Sequence, residues 1–161
     1  MIDRTAIFLT LVFHAVLLAP PARADVWKDY WSIDRGCRGS YPTALFSEED
    51  QNDDATTARF SGPERRTFFR IIEADNAEEL SLLELKNKYF GPSVPGDVIY
   101  RRTTNDFLVF SGYRGDLIFY ARVELSGENR TMCIFEITYP RELKREYDRL
   151  VTRMSHSLIT N

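Results

Sequence analysis

The chain has 161 residues and a net charge of −3, and 13% of its residues are aromatic. The negative charge argues against a dedicated nucleic-acid-binding protein, because phosphate contacts require a strong excess of basic residues. The aromatic content argues against intrinsic disorder, and the length suits one domain built around a single hydrophobic core.

The N-terminus has the pattern of a secretory signal peptide. A short charged start precedes an apolar run over residues 5–19 and two prolines, and the small residues Ala22 and Ala24 follow. Small residues two positions apart fit a signal peptidase, and the apolar run is shorter than the roughly 20 residues that cross a bilayer. We therefore predict a signal peptide over residues 1–24, cleavage before Asp25, and a periplasmic or secreted mature protein without a transmembrane segment.

The mature part is predicted to consist of an N-terminal segment, residues 25–40, and a single domain, residues 41–161. A first strand is predicted over residues 41–46. Two further strands, residues 56–60 and 67–73, are joined by a glycine- and proline-containing loop that is typical of a hairpin.

A first helix is predicted from Asp75 to about residue 90. Asp75 and Glu78 have the spacing of a capping box, and Gly91-Pro92 ends the helix, since proline cannot continue it. The side chains expected to be buried along this helix are Leu80, Leu83 and Tyr89.

Four more strands are predicted over residues 98–103, 107–112, 117–125 and 130–139. Polar turns separate them, as expected of antiparallel pairing. In the third of these strands, the residues of one face are all apolar, namely Leu117, Phe119, Ala121, Val123 and Leu125.

The chain ends in a strongly amphipathic helix. One apolar stripe contains Leu143, Tyr147, Leu150, Val151, Met154 and Leu158. The order of elements predicts the α+β class, with an antiparallel β-sheet of about six or seven strands packed by two main helices.

Two cysteines lie in the predicted mature part, Cys37 and Cys133. In an oxidising compartment an even pair is typical of a disulfide, which here would tie the N-terminal segment to a late strand. The alternative is two separate buried thiols. No metal site and no cofactor is predicted, because the chain lacks a Cys-x-x-Cys motif and its mature part has one histidine.

Two motifs resemble a small exported domain of alphaproteobacteria. One is the run Phe-Ser-Gly-Tyr-Arg-Gly-Asp-Leu-Ile-Phe-Tyr-Ala-Arg over residues 110–122. The other is the Tyr-Pro-Arg that begins at Tyr139, followed by Tyr-Asp-Arg-Leu-Val-Thr-Arg-Met-Ser-His-Ser over residues 147–157. That domain occurs alone behind a signal peptide and also after caspase-like peptidase domains. Because it has no defined activity, the resemblance implies no functional residues. The order of elements is also similar to the PsbP-type α/β/α sandwich, which implies a fold and not a function.

Three polar features are interpreted as structural. The acidic run over residues 47–54 is more typical of a solvated loop than of a calcium site, because it lacks the central glycine and closing glutamate. His156 lies between two serines on a helix, and adjacent helical residues do not face one another, so they form no catalytic dyad. Asp148 is interpreted as a partner of a loop backbone or an arginine.

Arginine and tyrosine recur on the predicted strands and form the candidate binding site. Such a surface can bind an anion, a carbohydrate or an acidic partner. The alternative is cross-strand pairing of the arginines with Glu73, Glu124 and Glu136. The candidate binding residues are Tyr100, Arg101, Arg102, Tyr113, Arg114, Tyr120 and Arg122.

Two functions of different classes follow. The first is an exported, non-enzymatic binding or accessory protein of the bacterial envelope, whose partner is an unknown protein or an anionic ligand and not a nucleic acid. The second is a small periplasmic hydrolase that uses a carboxylate pair such as Asp106 and Asp116. The sequence favours the first, because it contains no catalytic motif and no catalytic residue is assigned.

Overall fold

A computed structural model describes residues 26–32, 34, 36–49, 56–62, 66–88 and 96–161. The predicted signal peptide, most of the acidic loop and the predicted Gly91-Pro92 helix end lie outside the described residues. In the described ranges the chain forms ten strands and two helices. They are β1 (Trp27–Trp31), β2 (Cys37–Pro42), β3 (Ser47–Glu48), β4 (Thr57–Ser61), β5 (Phe68–Asp75), α1 (Leu82–Lys88), β6 (Asp97–Thr103), β7 (Phe107–Arg114), β8 (Leu117–Leu125), β9 (Thr131–Pro140), α2 (Lys144–His156) and β10 (Ile159–Thr160).

The centre of the fold is a seven-stranded antiparallel sheet with the order β3-β4-β5-β9-β8-β7-β6. Six of its strands, β4 to β9, match predicted ones to within two residues at each end. The seventh, β3, was not predicted, because its two residues begin the acidic run that was interpreted as a loop. The predicted α+β class, with an antiparallel sheet and two helices, is confirmed.

A second, three-stranded sheet with the order β1-β2-β10 covers part of the large sheet. The predicted strand over residues 41–46 is wrong: β2 ends at Pro42, and a turn follows in which Phe46 N–H donates to the Pro42 carbonyl at 3.1 Å. The predicted N-terminal segment, residues 25–40, contains β1 and most of β2. Sequence analysis did not predict these strands, because the segment contains many polar residues.

Helix α1 is shorter than predicted and begins at Leu82, seven residues after Asp75, which is the last residue of β5. The capping box is formed by Ser81 and Glu84. The Ser81 hydroxyl donates to Glu84 Oε2 at 2.6 Å and the Ser81 N–H donates to the same oxygen at 2.8 Å. These two hydrogen bonds lower the pKa of the Glu84 carboxyl. The buried face of the helix therefore differs from the predicted one. Leu82 and Leu85 are buried, whereas Leu83 is exposed.

Helix α2 confirms the predicted C-terminal stripe. Tyr147, Val151, Met154 and Leu158 are buried, and the other two stripe residues are half-buried. Pro140 is the last residue of β9, and a single 3-10 turn over Arg141–Leu143 leads into the helix. Among the described residues, no helix is long and apolar enough to cross a bilayer.

Each face of the large sheet is partly covered by other elements. On one face, the α2 side, α2 and the small sheet pack over an aromatic cluster in which Phe60 and Phe69 stack with ring centroids 4.2 Å apart. On the other face, the α1 side, Leu82 of α1 packs over β7 and β8. This layering explains why β8 is apolar at nearly every position.

A disulfide joins Cys37 of β2 to Cys133 of β9, with Cα atoms 5.6 Å apart. It therefore links the small sheet to the centre of the large one, as predicted. Gly39 allows the same close approach, because a Cβ there would lie 2.6 Å from Ile71 Cδ1.

We expect the packing of α2 to determine global stability. Met154 is 1% exposed, and truncating a buried methionine lowers the free energy of unfolding by about 2–5 kcal/mol. Met154→Ala should therefore lower it by that amount in urea denaturation. The exposed Arg149 on the same helix is the control, and Arg149→Ala should change it by no more than about 0.5 kcal/mol. Equal effects of the two substitutions would contradict this packing.

Candidate functional site

Strand alternation divides the seven predicted binding residues between the two faces of the sheet. Five of them lie on the α2 side, namely Tyr100, Arg102, Tyr113, Tyr120 and Arg122, and two on the α1 side, Arg101 and Arg114. Neighbouring residues of a strand point to opposite faces, so closeness in sequence did not place them in one site.

Three tyrosines form the floor of a groove between α2 and the outer strands of the large sheet. We call it the tyrosine groove: Tyr113, Tyr120 and Tyr139 lie on its floor, Asp148 lies in its α2 wall, and Ile99 of β6 lies at its rim. Its volume is about 370 Å³. Two of the predicted residues, Tyr113 and Tyr120, therefore belong to one concave surface.

The polar groups of the tyrosine groove are largely satisfied by one another. Lys144 donates to Asp148 Oδ2 at 2.5 Å, and the Tyr120 hydroxyl donates to Ser155 Oγ at 3.3 Å. Burial and the nearby Asp148 carboxylate raise the pKa of Tyr139, whose protonated hydroxyl lies 3.5 Å from Asp148 Oδ1. The groove therefore offers hydroxyl and aromatic surface and no activated nucleophile.

Two arginines of the α2 side meet at Phe107, at the opposite end of β7 from Tyr113. The guanidinium carbon of Arg122 lies 4.0 Å from the centre of the Phe107 ring, and that of Arg102 lies 5.5 Å from it. Arg122 also pairs with Glu124 at 2.7 Å, and their side chains are only 12% and 17% exposed. Arg122 is thus a packed, paired residue, whereas Arg102 is exposed.

The proposed cross-strand pairing explains part of the arginine pattern. Arg70 pairs with Glu136 directly across from it in β9, and Arg122 pairs with Glu124 of its own strand. Glu73 forms no ion pair with a described residue, and its carboxylate lies against Gly36.

The edge strand β6 is the most exposed part of the candidate site. No described strand pairs with its outer side. Ile99 is 63% exposed and Tyr100 is 47% exposed, at a β-bulge between Val98 and Tyr100. The predicted residues Tyr100, Arg101 and Arg102 all belong to this edge.

Neither the proposed carboxylate pair nor the histidine forms a catalytic arrangement. Asp106 and Asp116 lie beyond opposite ends of β7, whose eight residues span about 25 Å, and Asp116 pairs with Arg66 at 2.6 Å. Glycosidase carboxylates lie no more than about 10 Å apart. His156 is exposed at the end of α2. In the described part of the chain, no three potential ligand side chains are grouped to hold a metal.

Sequence analysis missed a larger groove of about 550 Å³ on the α1 side. We call it the arginine groove. It is lined by Glu49 after β3, Arg59 and Ser61 of β4, Phe68 and Arg70 of β5, and Arg114 at the end of β7. The alternation of arginine with apolar residues in β4 and β5 was visible in the sequence, but only the strand register brings these residues together.

No protein-family model matches this chain, and no curated protein matches it in sequence. Solved structures do match it. The solution structure of cyanobacterial PsbP (CyanoP) from Synechocystis has a TM-score of 0.59 and 11% identity, over 89% of this chain and 97% of that one. The chain has the PsbP-type fold.

A second similar structure is that of the Ran-binding protein Mog1p from Saccharomyces cerevisiae. It has a TM-score of 0.56 and 6% identity, over 85% of this chain and 96% of that one. A Mog1 point mutant gives a TM-score of 0.55 at 8% identity, over 84% and 96% of the two chains. At these identities the likeness concerns the fold alone, so it confirms the predicted PsbP-like architecture.

The Glu124 carboxyl should make stability depend on pH. Burial raises its pKa above the ordinary value of 4.5 despite the opposing effect of Arg122. Folding favours the protonated form of this carboxyl. Its contribution to the free energy of unfolding is therefore complete below about pH 4.5 and is lost as the pH rises through the raised pKa. Urea denaturation at stepped pH should show this loss in the wild type and not in Glu124→Gln.

The exposed Glu128 serves as the control for that measurement. Glu128→Gln should keep the wild-type pH profile in this window. If the wild type instead gains stability relative to Glu124→Gln as the pH rises, the carboxyl is not destabilised by burial.

Proposed function

We propose that this protein is an exported, non-enzymatic binding protein of the bacterial envelope, which binds an extended segment of another protein along β6. The observation that carries the proposal is the edge of β6 beside the tyrosine groove. An edge strand has backbone N–H and C=O groups that an added strand can pair with. The edge of β6 is therefore better suited to an extended polypeptide than to a compact ligand.

The side chains around β6 suit such a partner. An added strand would place alternate side chains towards the α2 side, where the tyrosine groove lies next to Tyr100. Tyrosine and arginine are enriched among the residues that anchor interfaces, and Tyr100 and Arg102 are both exposed on this edge. The bulge after Val98 limits the regular part of the edge to the second half of β6.

Export is supported by the sequence and by the disulfide. The first 24 residues have the pattern of a signal peptide, and disulfides persist in oxidising compartments and are rare in the cytosol. The resemblance to an exported alphaproteobacterial domain points to the same location. In this proposal the mature protein begins at Asp25.

The fold is compatible with this kind of function. Mog1p is described as a Ran-binding protein, so a chain of this fold can present a protein-binding surface. The tyrosine groove holds paired side chains and no nucleophile–base arrangement, which favours binding over hydrolysis.

The export proposal predicts a defined mature mass. Intact-mass analysis of protein recovered from the envelope fraction should give the chain beginning at Asp25, minus the two hydrogen atoms lost on forming the Cys37–Cys133 bond. Protein of the same cells treated with a reductant should gain those two mass units. A species that retains Met1, or that has two free thiols in the envelope fraction, would contradict export in this form.

The binding proposal predicts a partner whose affinity depends on β6. A partner is first identified by pull-down from envelope extract with the mature protein and then purified. Ile99→Asp should weaken its binding about tenfold or more, because it places a charge in an apolar contact. On binding, the backbone amides of residues 97–103 should gain protection from hydrogen exchange.

Leu83→Asp is the matched control, because Leu83 is also an exposed aliphatic residue but lies on α1. It should leave the affinity unchanged. Equal binding by wild type and Ile99→Asp would overturn the β6 site. Turnover of an envelope polymer by the purified protein, abolished by replacing one carboxylate, would overturn the non-enzymatic proposal.

A further inference from the structure

The edge strand β6 has two arginines at adjacent positions. Arg101 lies on the α1 side and Arg102 on the α2 side, because neighbouring residues of a strand point to opposite faces. Both residues are exposed, and neither forms an ion pair with a described residue. The guanidinium carbon of Arg102 lies 5.5 Å from the centre of the Phe107 ring, which attracts a cation weakly and supplies no counter-charge. Each face of this edge therefore presents a positive charge that no described carboxylate pairs with.

The neighbouring strand β7 cannot neutralise these charges. It contains no acidic residue, and the residues directly opposite Arg101 and Arg102 are aromatic and aliphatic. Inside the sheet the situation differs, since Arg70 has Glu136 directly opposite it and pairs with it. A carboxylate for the two arginines of β6 can therefore come only from the outer side of the strand.

The segments outside the described ranges offer no counter-charge at β6 either. Residues 89–95, which precede β6, contain no aspartate or glutamate. The acidic residues of 50–55 and Glu64 belong to the connections of β3, β4 and β5. The nearest of these strands, β5, is four strand spacings or about 19 Å from β6, whereas a connection of six residues held at both ends reaches at most about 12 Å. The other acidic residues of these segments, Asp3 and Asp25, precede β1 of the small sheet.

A strand added to β6 places consecutive residues beside these two arginines. Such a strand lies about 4.8 Å away and, in either direction, has one residue next to each residue of the regular edge. Neighbouring side chains then lie on the same face, at a distance at which opposite charges attract. Two adjacent acidic residues would therefore meet Arg101 on one face and Arg102 on the other. The next position lies beside Tyr100, which is 47% exposed and suits an apolar side chain.

We infer that the polypeptide segment bound along β6 has two adjacent acidic residues, which pair with Arg101 and Arg102. The inference rests on the proposed binding along β6 and names the chemistry of the partner. An exposed strand of ordinary pattern alternates polar and apolar residues, so an adjacent acidic pair distinguishes this segment. Guanidinium groups bind carboxylates through two parallel hydrogen bonds, which fixes the register of the added strand. The alternative role of the arginines is to hinder the pairing of two such edges, as charged residues on edge strands do.

A direct test uses the full mature protein and two fluorescein-labelled peptides, followed by fluorescence anisotropy. Both peptides alternate valine and threonine around two central residues, which are glutamates in one peptide and glutamines in the other. Their sequences are symmetric about the centre, so that either strand direction gives the same contacts. The glutamate peptide should bind saturably and about tenfold or more tightly than the glutamine peptide. The backbone amides of residues 97–103 should gain protection from hydrogen exchange, which places the peptide on β6.

Reversal of both charges should reverse the preference of the protein. The double variant Arg101→Glu/Arg102→Glu should bind a peptide with two central lysines more tightly than the glutamate peptide. Arg101→Gln/Arg102→Gln, which adds no charge, should bind the glutamate and glutamine peptides equally. The matched control is Arg145→Glu/Arg149→Glu, which makes the same change of charge at exposed positions of α2 and should keep the wild-type preference. All three variants should keep the wild-type melting transition, because the replaced residues are exposed.

Equal weakening of glutamate-peptide binding by the two charge-reversed variants would reduce the preference to net charge and overturn the inference. Equal affinity of the wild type for the glutamate and glutamine peptides, with Ile99→Asp weakening both, would overturn it while binding along β6 stands. That result would assign the arginines to hindering the pairing of edges. Binding of neither peptide, or binding without protection of residues 97–103, would also overturn the inference. The β6 proposal itself is tested by Ile99→Asp with the purified partner, so the two failures are distinct.

Discussion

The packing of the small sheet on the large one is the contact on which the rest of the molecule depends. β2 crosses β5 at Gly39, and the disulfide fixes Cys37 to the centre of the large sheet. The two cysteines are 96 residues apart in sequence, and closing a loop of that size stabilises a fold by about 4–5 kcal/mol in the chain-entropy description. Because β10 pairs with β2, the same contact holds the end of the chain and so fixes where α2 must end. Ser157 completes the connection, since its Oγ accepts the Ser40 N–H at 2.7 Å.

The position of α2 determines which parts of the sheet stay open. The helix and the small sheet cover β4, β5 and β9 on the α2 side, and β6 lies beyond that cover, so the tyrosine groove forms between them. On the other side, the described part of α1 has seven residues and packs over β7 and β8. Among the described residues, the helices and the small sheet thus cover only part of the large sheet, and both grooves lie where that cover ends.

Much of the architecture could be predicted from the sequence, but the candidate site could not. β8 was predicted with its observed bounds, because one of its faces is apolar at every position, and α2 was predicted from its continuous apolar stripe. The first helix was misplaced because two capping boxes compete, and the second, at Ser81, prevails when β5 extends to Asp75 to pair with β9. The seven candidate binding residues do not all lie on one face of the sheet. Residues adjacent in sequence were grouped, although the pleat separates Arg101 from Arg102, and the arginine groove depends on a register between strands that no local pattern encodes.

The distribution of satisfied polar groups explains why binding is the better interpretation of this surface. Arg122 with Glu124, Arg70 with Glu136 and Lys144 with Asp148 are internal pairs, and each leaves its members little free energy to gain from a ligand. A hydrolase would need the opposite, a carboxylate or histidine held without its partner near a second reactive group. In the described part of the chain, the groups that still have interactions to gain include the outer backbone of β6 and its exposed Ile99 and Tyr100. Backbone amides and apolar surface along one edge are complementary to an extended polypeptide. This edge therefore supports the proposal that the protein acts by recognition.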